Sequence, residues 1–545
     1  MPIQDIDHGL LLRYPQAIYH MRDQLSLRRL MPVIGAGVSQ SIGLPNWSDL
    51  IDRIAGDSRV DAVSLAERSR SQASRVQVVF HHFRRKRLTS IRAETSDPGS
   101  SEDVFFERKI ASEWRQIVHA NLYRSATTVD QHPYLSHYVG VIREAPLTVN
   151  YNFDDSLQEL LDLHPPAVSG NDEPTRGFET VWDPTVQFRH QSAVIYHPNG
   201  FLPRELYRGP SPRLVFLEDS FADQLIDAQR GHYATLLSHY VRFTSLMIGL
   251  SLEDATLRHL LRQSTLANPG HVHYYVAYCG GDYPGEAQQR AIRESNFGTF
   301  NLVTLFLNAQ EIASLGRLLS AQATDFEATT EELGLPPRYV YYLSGAVGVG
   351  KTSALAHFKS LRSFDEWLEE KPALLHRAAD TLDNGEKLLV DEWINRQMRR
   401  RNFAIRRGAR QLCIVDRSPL DPIAFSAPDY QKRARELREI YGSEPPRGLC
   451  SGMIILLTGN PTTMYGRTIE RHKGGSVEYI RGLQETFAAL WAIASSGVIT
   501  VDTQDLTVDE VAKRVSRIVH LDGYVIADLS MVLAAVESSG IQIDQ

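Results

Sequence analysis

Residues 345–352 read Gly-Ala-Val-Gly-Val-Gly-Lys-Thr and fit the spacing G-x-x-x-x-G-K-[ST]. Glycines there let backbone N–H groups close around a phosphate. The lysine sets an ammonium against the phosphate oxygens, and the threonine offers its hydroxyl to Mg2+. A second glycine turn, Gly35-Ala36-Gly37, follows an apolar run from Met31 and precedes Ser39. Its spacing is not G-x-G-x-x-G. A strand that runs into a tight glycine turn and then a helix is nevertheless how a doubly wound sheet presents a nucleotide phosphate.

Each turn needs a sheet behind it. Around the first, strand candidates occur in "APLTVNY", "SAVIYH", "RLVFLE", "SLMIGLS" and "HVHYYVAY", alternating with helical segments. Their carboxyl ends carry Asn150, Asn152, Asp154 and Asp155; His197, Asn199 and Gly200; Glu218 and Asp219; and Gly249, Ser251 and Asp254. In open α/β sheets ligands bind beyond such ends, so five strand ends are expected to face one crevice. Residues 58–130 lack strand-like runs and read as a helical insertion, with a loop near 94–103. Around the second turn, "RYVYYLS", "RQLCIVDRS", "SGMIILLTGNP" and "GVITVDT" are further strands, and 430–445 and 462–472 are charged helices. The polar stretch that closes with Pro336-Pro337 divides the chain into 1–325, a linker at 326–338, and 339–545. The basic runs 83–87 and 398–410 read as solvated helix faces.

Composition narrows the class. A net charge of −7 argues against a general polyanion binder. No run of eighteen apolar residues occurs and the N-terminus does not read as a signal peptide, so a cytoplasmic protein with no membrane partner is expected. The three cysteines, Cys279, Cys413 and Cys450, lie far apart and cannot build a zinc ribbon.

"IGAGVSQSIGLPNWSDL", "NYNFDDSL", "YHPNGFL" and "GLSLEDATLRHLL", in that order across roughly 25–310, resemble the bacterial sirtuin-like domains. The resemblance implies a Rossmann-like fold that binds NAD through Gly35, Ala36, Gly37 and Ser39. A strand-end asparagine and a histidine then act on the nicotinamide riboside, and Gly249, Ser251 and Asp254 hold the adenosine side. Pro45 and Trp47 belong to the same pocket, Trp47 as core or as ligand wall. Asn152 is preferred over Asn150 as the catalytic amide because Asp154 then falls into place. The family often has histidine directly before the glycine; here that position is Asn199, which leaves His197 as the local candidate base. Many bacterial members destroy NAD in anti-phage defence. Relatives that deacylate proteins carry a four-cysteine zinc module, which this chain cannot form.

"LCIVDRSPLDPIAF" and "GNPTTMYGRTIERHK" resemble nucleoside and nucleotide kinases such as thymidylate kinase. This implies a P-loop kinase-like α/β domain at about 340–520. Gly345, Gly348, Gly350 and Lys351 would hold the phosphates of ATP or another nucleotide, and Thr352 and Asp416 the Mg2+. Arg417, Arg467 and Arg471 would neutralise the transferred phosphoryl. The acceptor would be a (deoxy)nucleoside or its monophosphate. The carboxylate that would position it is not evident, Asp391 and Glu392 being candidates.

The expectation is therefore an anti-phage effector that hydrolyses NAD to nicotinamide and ADP-ribose. Its kinase-like half would control it, with a homo-oligomer and a phage-derived trigger as expected partners. The rival is a nucleoside or nucleotide kinase whose sirtuin-like half only binds NAD or ADP-ribose. A non-enzymatic switch and a zinc-free deacylase are weaker alternatives.

Overall fold

A computed structural model describes residues 8–66, 71–94, 102–165, 177–183, 193–212, 214–229, 233–376, 383–408, 411–442, 448–470 and 476–542. The chain divides into two compact units. The first comprises Met1–Leu10, Gln24–Ala267 and His273–Gln322; the second comprises Leu11–Asp23, Asn268–Val272 and Ala323–Gln545. Among the described residues no helix is long and apolar enough to cross a membrane.

The first unit is built on seven parallel strands: β1 (Leu30–Ile34), β2 (Thr148–Asn150), β3 (Phe178–Val181), β4 (Ala193–Tyr196), β5 (Thr244–Ile248), β6 (His273–Tyr278) and β7 (Leu302–Leu307). Their spatial order is β3-β4-β2-β1-β5-β6-β7. All five residues of β1 are buried, as a parallel strand covered on both faces requires. Pro32 is tolerated in this central strand because β2 pairs only with Val33 and Ile34, whereas Pro32 lies opposite Leu246 of β5. Chain order reverses at β1, whose neighbours β2 and β5 lead to opposite edges. The crevice beyond β1 and β5 is thus the topological switch point.

The expected insertion is a pair of helices, Gln72–Glu94 and Glu102–Leu122. They join through an apolar seam in which Trp114 packs edge-on to Phe80 and against Phe83. Arg84 and Arg87 of the basic run 83–87 pair with Glu107 and Glu113 of the facing helix. One strand expectation fails. Of the segment "RLVFLE", the described residues 214–218 form no strand, and Glu218 and Asp219 open the helix Glu218–Gln229, where two carboxylates suit the positive helix end. The sheet edge beside β4 is occupied by β3 instead, a strand unmarked by the sequence pattern, as is β7.

The second unit has five parallel strands, β8 (Tyr339–Ser344), β9 (Arg362–Phe364), β10 (Leu412–Asp416), β11 (Met453–Thr458) and β12 (Val498–Asp502), ordered β12-β11-β8-β10-β9. Much of the expected linker is the helix Ala323–Glu332 of this unit. Its Phe326 is buried edge-on to Tyr19, whose hydroxyl donates to the Pro336 carbonyl. Asp391 and Glu392 lie inside the helix Asn384–Arg407, which starts instead at a capping box of Asp383 and Glu386.

Candidate functional site

In the first unit a cavity of about 1240 Å³ lies beyond the carboxyl ends of β1 and β5. Gly35, Ala36, Gly37, Trp47, Asn199, Gly249, Ser251 and Asp254 all line it. Gly35 and Gly249 are required by close approach, and Gly37 is tightly placed, an added Cβ standing 3.0 Å from Gly249 Cα. A Cβ on Gly35 would stand 2.4 Å from the Gly249 carbonyl oxygen, and one on Gly249, at φ +73°, would stand 2.6 Å from the Val38 nitrogen. The two turns therefore interlock through backbone. Gly35 N–H donates to Ile248 O, Gly37 N–H to Gly249 O and Val38 N–H to Gly35 O, so three of the four N–H groups from Gly35 to Val38 are used within the fold. Trp47 sits in an aromatic wall with Phe216 and Phe221, ring centroids 5.3 and 6.1 Å away. Both phenylalanines also line the cavity.

A small recess shares Ala36 and Trp47 with the cavity and continues to Ser39, Pro45, Asn152 and Asp154. There Asn152 Nδ2 donates to Ser39 Oγ at 3.1 Å, and Ser39 Oγ donates to Asp154 Oδ2 at 3.0 Å. Asn152 Oδ1 is buried with no hydrogen-bond partner among the described residues. Burial raises the Asp154 carboxyl above the ordinary range. Asn150 is used differently. Its Oδ1 accepts the Asn152 N–H at 3.1 Å and closes the turn after β2.

His197 lines neither space. It is fully buried, and burial lowers its imidazole to about 4. Nδ1–H donates to the Asn152 carbonyl at 2.9 Å, and Nε2 accepts from Gln158 Nε2 at 2.9 Å. With both nitrogens engaged, the ring braces the turn that carries Asn152. Asn199, two residues on, does reach the cavity, its Nδ2 held by the Tyr151 carbonyl. Burial raises the Asp254 carboxyl, whose Oδ1 caps the helix Ala255–Ala267 through Leu257 N–H.

In the second unit, β8 runs into the loop 345–350 and the helix Lys351–Leu355. Gly345, Gly348 and Gly350 adopt φ of +134°, +82° and +105°, values that side-chain-bearing residues rarely reach. Lys351 Nζ donates to the carbonyls of Gly345 and Ala346 at 2.6 and 2.9 Å. Burial, with Arg417 nearby, lowers its ammonium to about 8. Thr352 Oγ1 donates to Asp416 Oδ2 at 2.7 Å, and Asp416 Oδ1 has no partner among the described residues. A hydroxyl and a carboxylate are the ligand types that would suit Mg2+, and Thr352 and Asp416 would hold it. Among the described residues no three His, Cys, Asp or Glu side chains gather as metal ligands.

Two residues here carry no signal in the sequence pattern. Glu366 follows the three-residue β9, too short to be marked as a strand, and pairs with Arg417 at 3.0 Å. Arg401, within the basic run 398–410 expected to be solvated, is buried and donates to the carbonyls of Glu366, Asp416 and Arg417. Backbone carbonyls at the carboxyl ends of β9 and β10 gather there, and one guanidinium donates to four of them, Asp365 included. Arg467 reaches the Gly348 carbonyl at 3.5 Å. Arg471 lies outside the described residues.

Residues 146–300 match the family model of the SIR2-like domain, less than a third of the chain. The match spans β2 to the helix before β7 and takes in Asn152, His197 and Gly249–Asp254; the glycine turn after β1 precedes it. Among solved structures, the crystal structure of EHV4-TK complexed with TP4A aligns with 38% of this chain and 99% of its own, at 13% identity and a TM-score of 0.26. None of the curated proteins matches the chain. The chain thus contains a SIR2-like region on a parallel α/β sheet, a setting that fits NAD-related chemistry at the family level.

Proposed function

We propose that the first unit binds NAD and hydrolyses the bond between nicotinamide and ribose. The observation that carries this is the large cavity at the switch point, walled by Trp47, Phe216 and Phe221 and sharing Ala36 and Trp47 with the Asn152 recess. Aromatic faces suit adenine or nicotinamide, and the volume exceeds the roughly 300–1,000 Å³ of ordinary small-ligand pockets. Nicotinamide leaves a cationic ring as a neutral molecule, so its departure needs no general acid. The C1′–N bond breaks with its electron pair going to nicotinamide, and water then forms the C1′–O bond and releases a proton. The products are nicotinamide, ADP-ribose and a proton. A neutral amide at Asn152 can orient that water or the ribose without opposing the developing positive charge. His197 positions Asn152 through its carbonyl rather than acting as base.

The second unit is proposed to bind a nucleoside triphosphate with Mg2+ through Lys351, Thr352 and Asp416 and to control NAD cleavage, the whole serving defence against phage. The test is nicotinamide release from NAD by the purified full chain across a panel of nucleotides, in wild type and Lys351→Ala. Nucleotide-dependent release that the variant no longer follows supports the reading. Bound NAD that stays intact under every condition overturns hydrolysis.

One second reading has its own support. Both nitrogens of His197 are engaged and no histidine is among the described residues that line the cavity, whereas Glu366 beside Arg417 offers a carboxylate able to accept a hydroxyl proton. In that reading the second unit phosphorylates a nucleoside or its monophosphate and the first only binds NAD or ADP-ribose. Transfer of labelled γ-phosphate to a nucleoside, abolished by Glu366→Gln, would select it.

A further inference from the structure

The glycine turn that would ordinarily cradle a diphosphate has used three of its four N–H groups internally. The cavity's remaining charge is mostly of the wrong sign. Asp49, Asp52, Glu253 and Asp254 line it, and Arg75 is the single cation among the described lining residues. Arg75 is 3% exposed. Its Nη1 donates to Ser48 Oγ at 2.9 Å and Nη2 to Asp52 Oδ1, while Nε has no partner among the described residues. Arg75 lies in the first turns of the 23-residue helix Gln72–Glu94, and Ser71, Gln72 and Ala73 line the same cavity. The positive end of a long helix dipole therefore meets the cavity beside a buried guanidinium.

Resting on the reading that NAD is the ligand, we infer that its diphosphate is held by Arg75 and the first turn of the helix Gln72–Glu94, and not by the Gly35–Gly37 turn. A diphosphate carries two negative charges, and Arg75 is the one cation among the described lining residues able to offset them. Arg75 keeps donor capacity beyond its bonds to Ser48 and Asp52. Glu253 and Asp254, at the opposite turn, then suit ribose hydroxyls, which donate to carboxylates. The helical insertion becomes the phosphate-recognition element of the first unit, and Arg75 a specificity-determining residue for ligands that carry the diphosphate.

The test is calorimetric titration of the full chain with ADP-ribose, which cannot release nicotinamide, and with adenosine, which lacks phosphate. Arg75→Gln is expected to weaken ADP-ribose by about 10- to 150-fold, the range for a hydrogen-bonded charge, and adenosine by less than threefold. Asp52→Asn keeps the guanidinium, removes a competing carboxylate, and is expected to leave ADP-ribose unchanged or tighter. The double variant Arg75→Gln/Asp52→Asn replaces the pair by neutral amides and keeps the measurement meaningful if the single arginine variant unfolds. It too should lose ADP-ribose selectively. Equal weakening of both ligands, or matching losses in Arg75→Gln and Asp52→Asn, would make the pair purely structural and overturn the assignment. Unchanged ADP-ribose affinity in the folded arginine variants would overturn it as well. A wild type that binds neither ADP-ribose nor NAD would instead sink the NAD reading itself, and this inference with it.

Discussion

Replacing Asn152 by alanine removes two polar groups with opposite energetics. Nδ2 donates to Ser39 at 3.1 Å, and losing such a bond costs about 1 kcal/mol. Oδ1 is buried without a partner among the described residues, so its deletion relieves a desolvation penalty of about 1–3 kcal/mol. The carbonyl that receives His197 and the N–H that closes the turn on Asn150 belong to the backbone and remain. Stability should therefore shift by no more than about 2 kcal/mol in either direction, against the roughly 5–15 kcal/mol of a folded domain. The rate should fall much further. A preorganised amide at a reacting centre is worth about 10²- to 10³-fold. Asn152→Asp sharpens the test, because it places a carboxylate in the same volume near Asp154, whose own carboxyl burial already raises. Two acids so close resist joint ionisation, so any residual rate should depend on pH where the wild type does not. The assay is nicotinamide release followed by chromatography, paired with urea unfolding of each variant. Folded Asn152→Ala releasing nicotinamide at the wild-type rate would refute the reasoning and leave Asn152 a turn residue.

Four further outcomes follow from the same geometry. Gly249→Ala puts a methyl 2.6 Å from the Val38 nitrogen at φ +73°, and should cost at least about 2 kcal/mol of stability. Gly298→Ala, with nothing within 4 Å of the added atom, is its control in thermal melts. His197→Ala removes the donor to the Asn152 carbonyl and one of two acceptors of Gln158 Nε2, the other being Thr180, so it should lower the unfolding midpoint while activity per folded molecule falls less than tenfold; a loss of about 10²–10⁴ in folded protein would return the base to His197. His197 and His132 are both lowered to about 4 by burial and stay neutral in the fold, whereas their unfolded forms take up protons below 6.5. Their contribution is therefore intact above pH 6.5 and is lost as pH falls toward 4, by about 3 kcal/mol each, which urea melts across that window would read. Lys351, lowered to about 8, is partly neutral at pH 8.5 and should gain a proton when a triphosphate binds. Calorimetry in buffers of different ionisation heat would show that uptake in wild type and not in Lys351→Met.

Much of the α/β plan is legible along the chain because its strands are continuous apolar runs ending in glycine or polar residues, a pattern set by burial on both faces. The loop 345–352 is legible for the same local reason: three glycines at required backbone angles, a lysine and a threonine at fixed spacing need no distant partner to be recognised. Asn152 beside Asp154 is also local, since two residue steps hold them together whatever the rest does. Only the tertiary structure decided the remainder. "RLVFLE" has strand composition, yet its described residues 214–218 pair with no strand, and β3 occupies the edge beside β4. His197 sits at a strand end as a catalytic base would, but its side chain turns inward to the Asn152 carbonyl and Gln158. Gly35 and Gly249 lie more than two hundred residues apart and look like two phosphate turns, but parallel pairing of β1 with β5 presses them together, and each then needs glycine because of the other. Arg75 and Arg401 resemble surface arginines in composition; one is buried against a cavity of carboxylates and the other against four carbonyls. A residue's type is local, whereas the field, partners and solvent that give it a role arrive from segments the chain brings in from elsewhere.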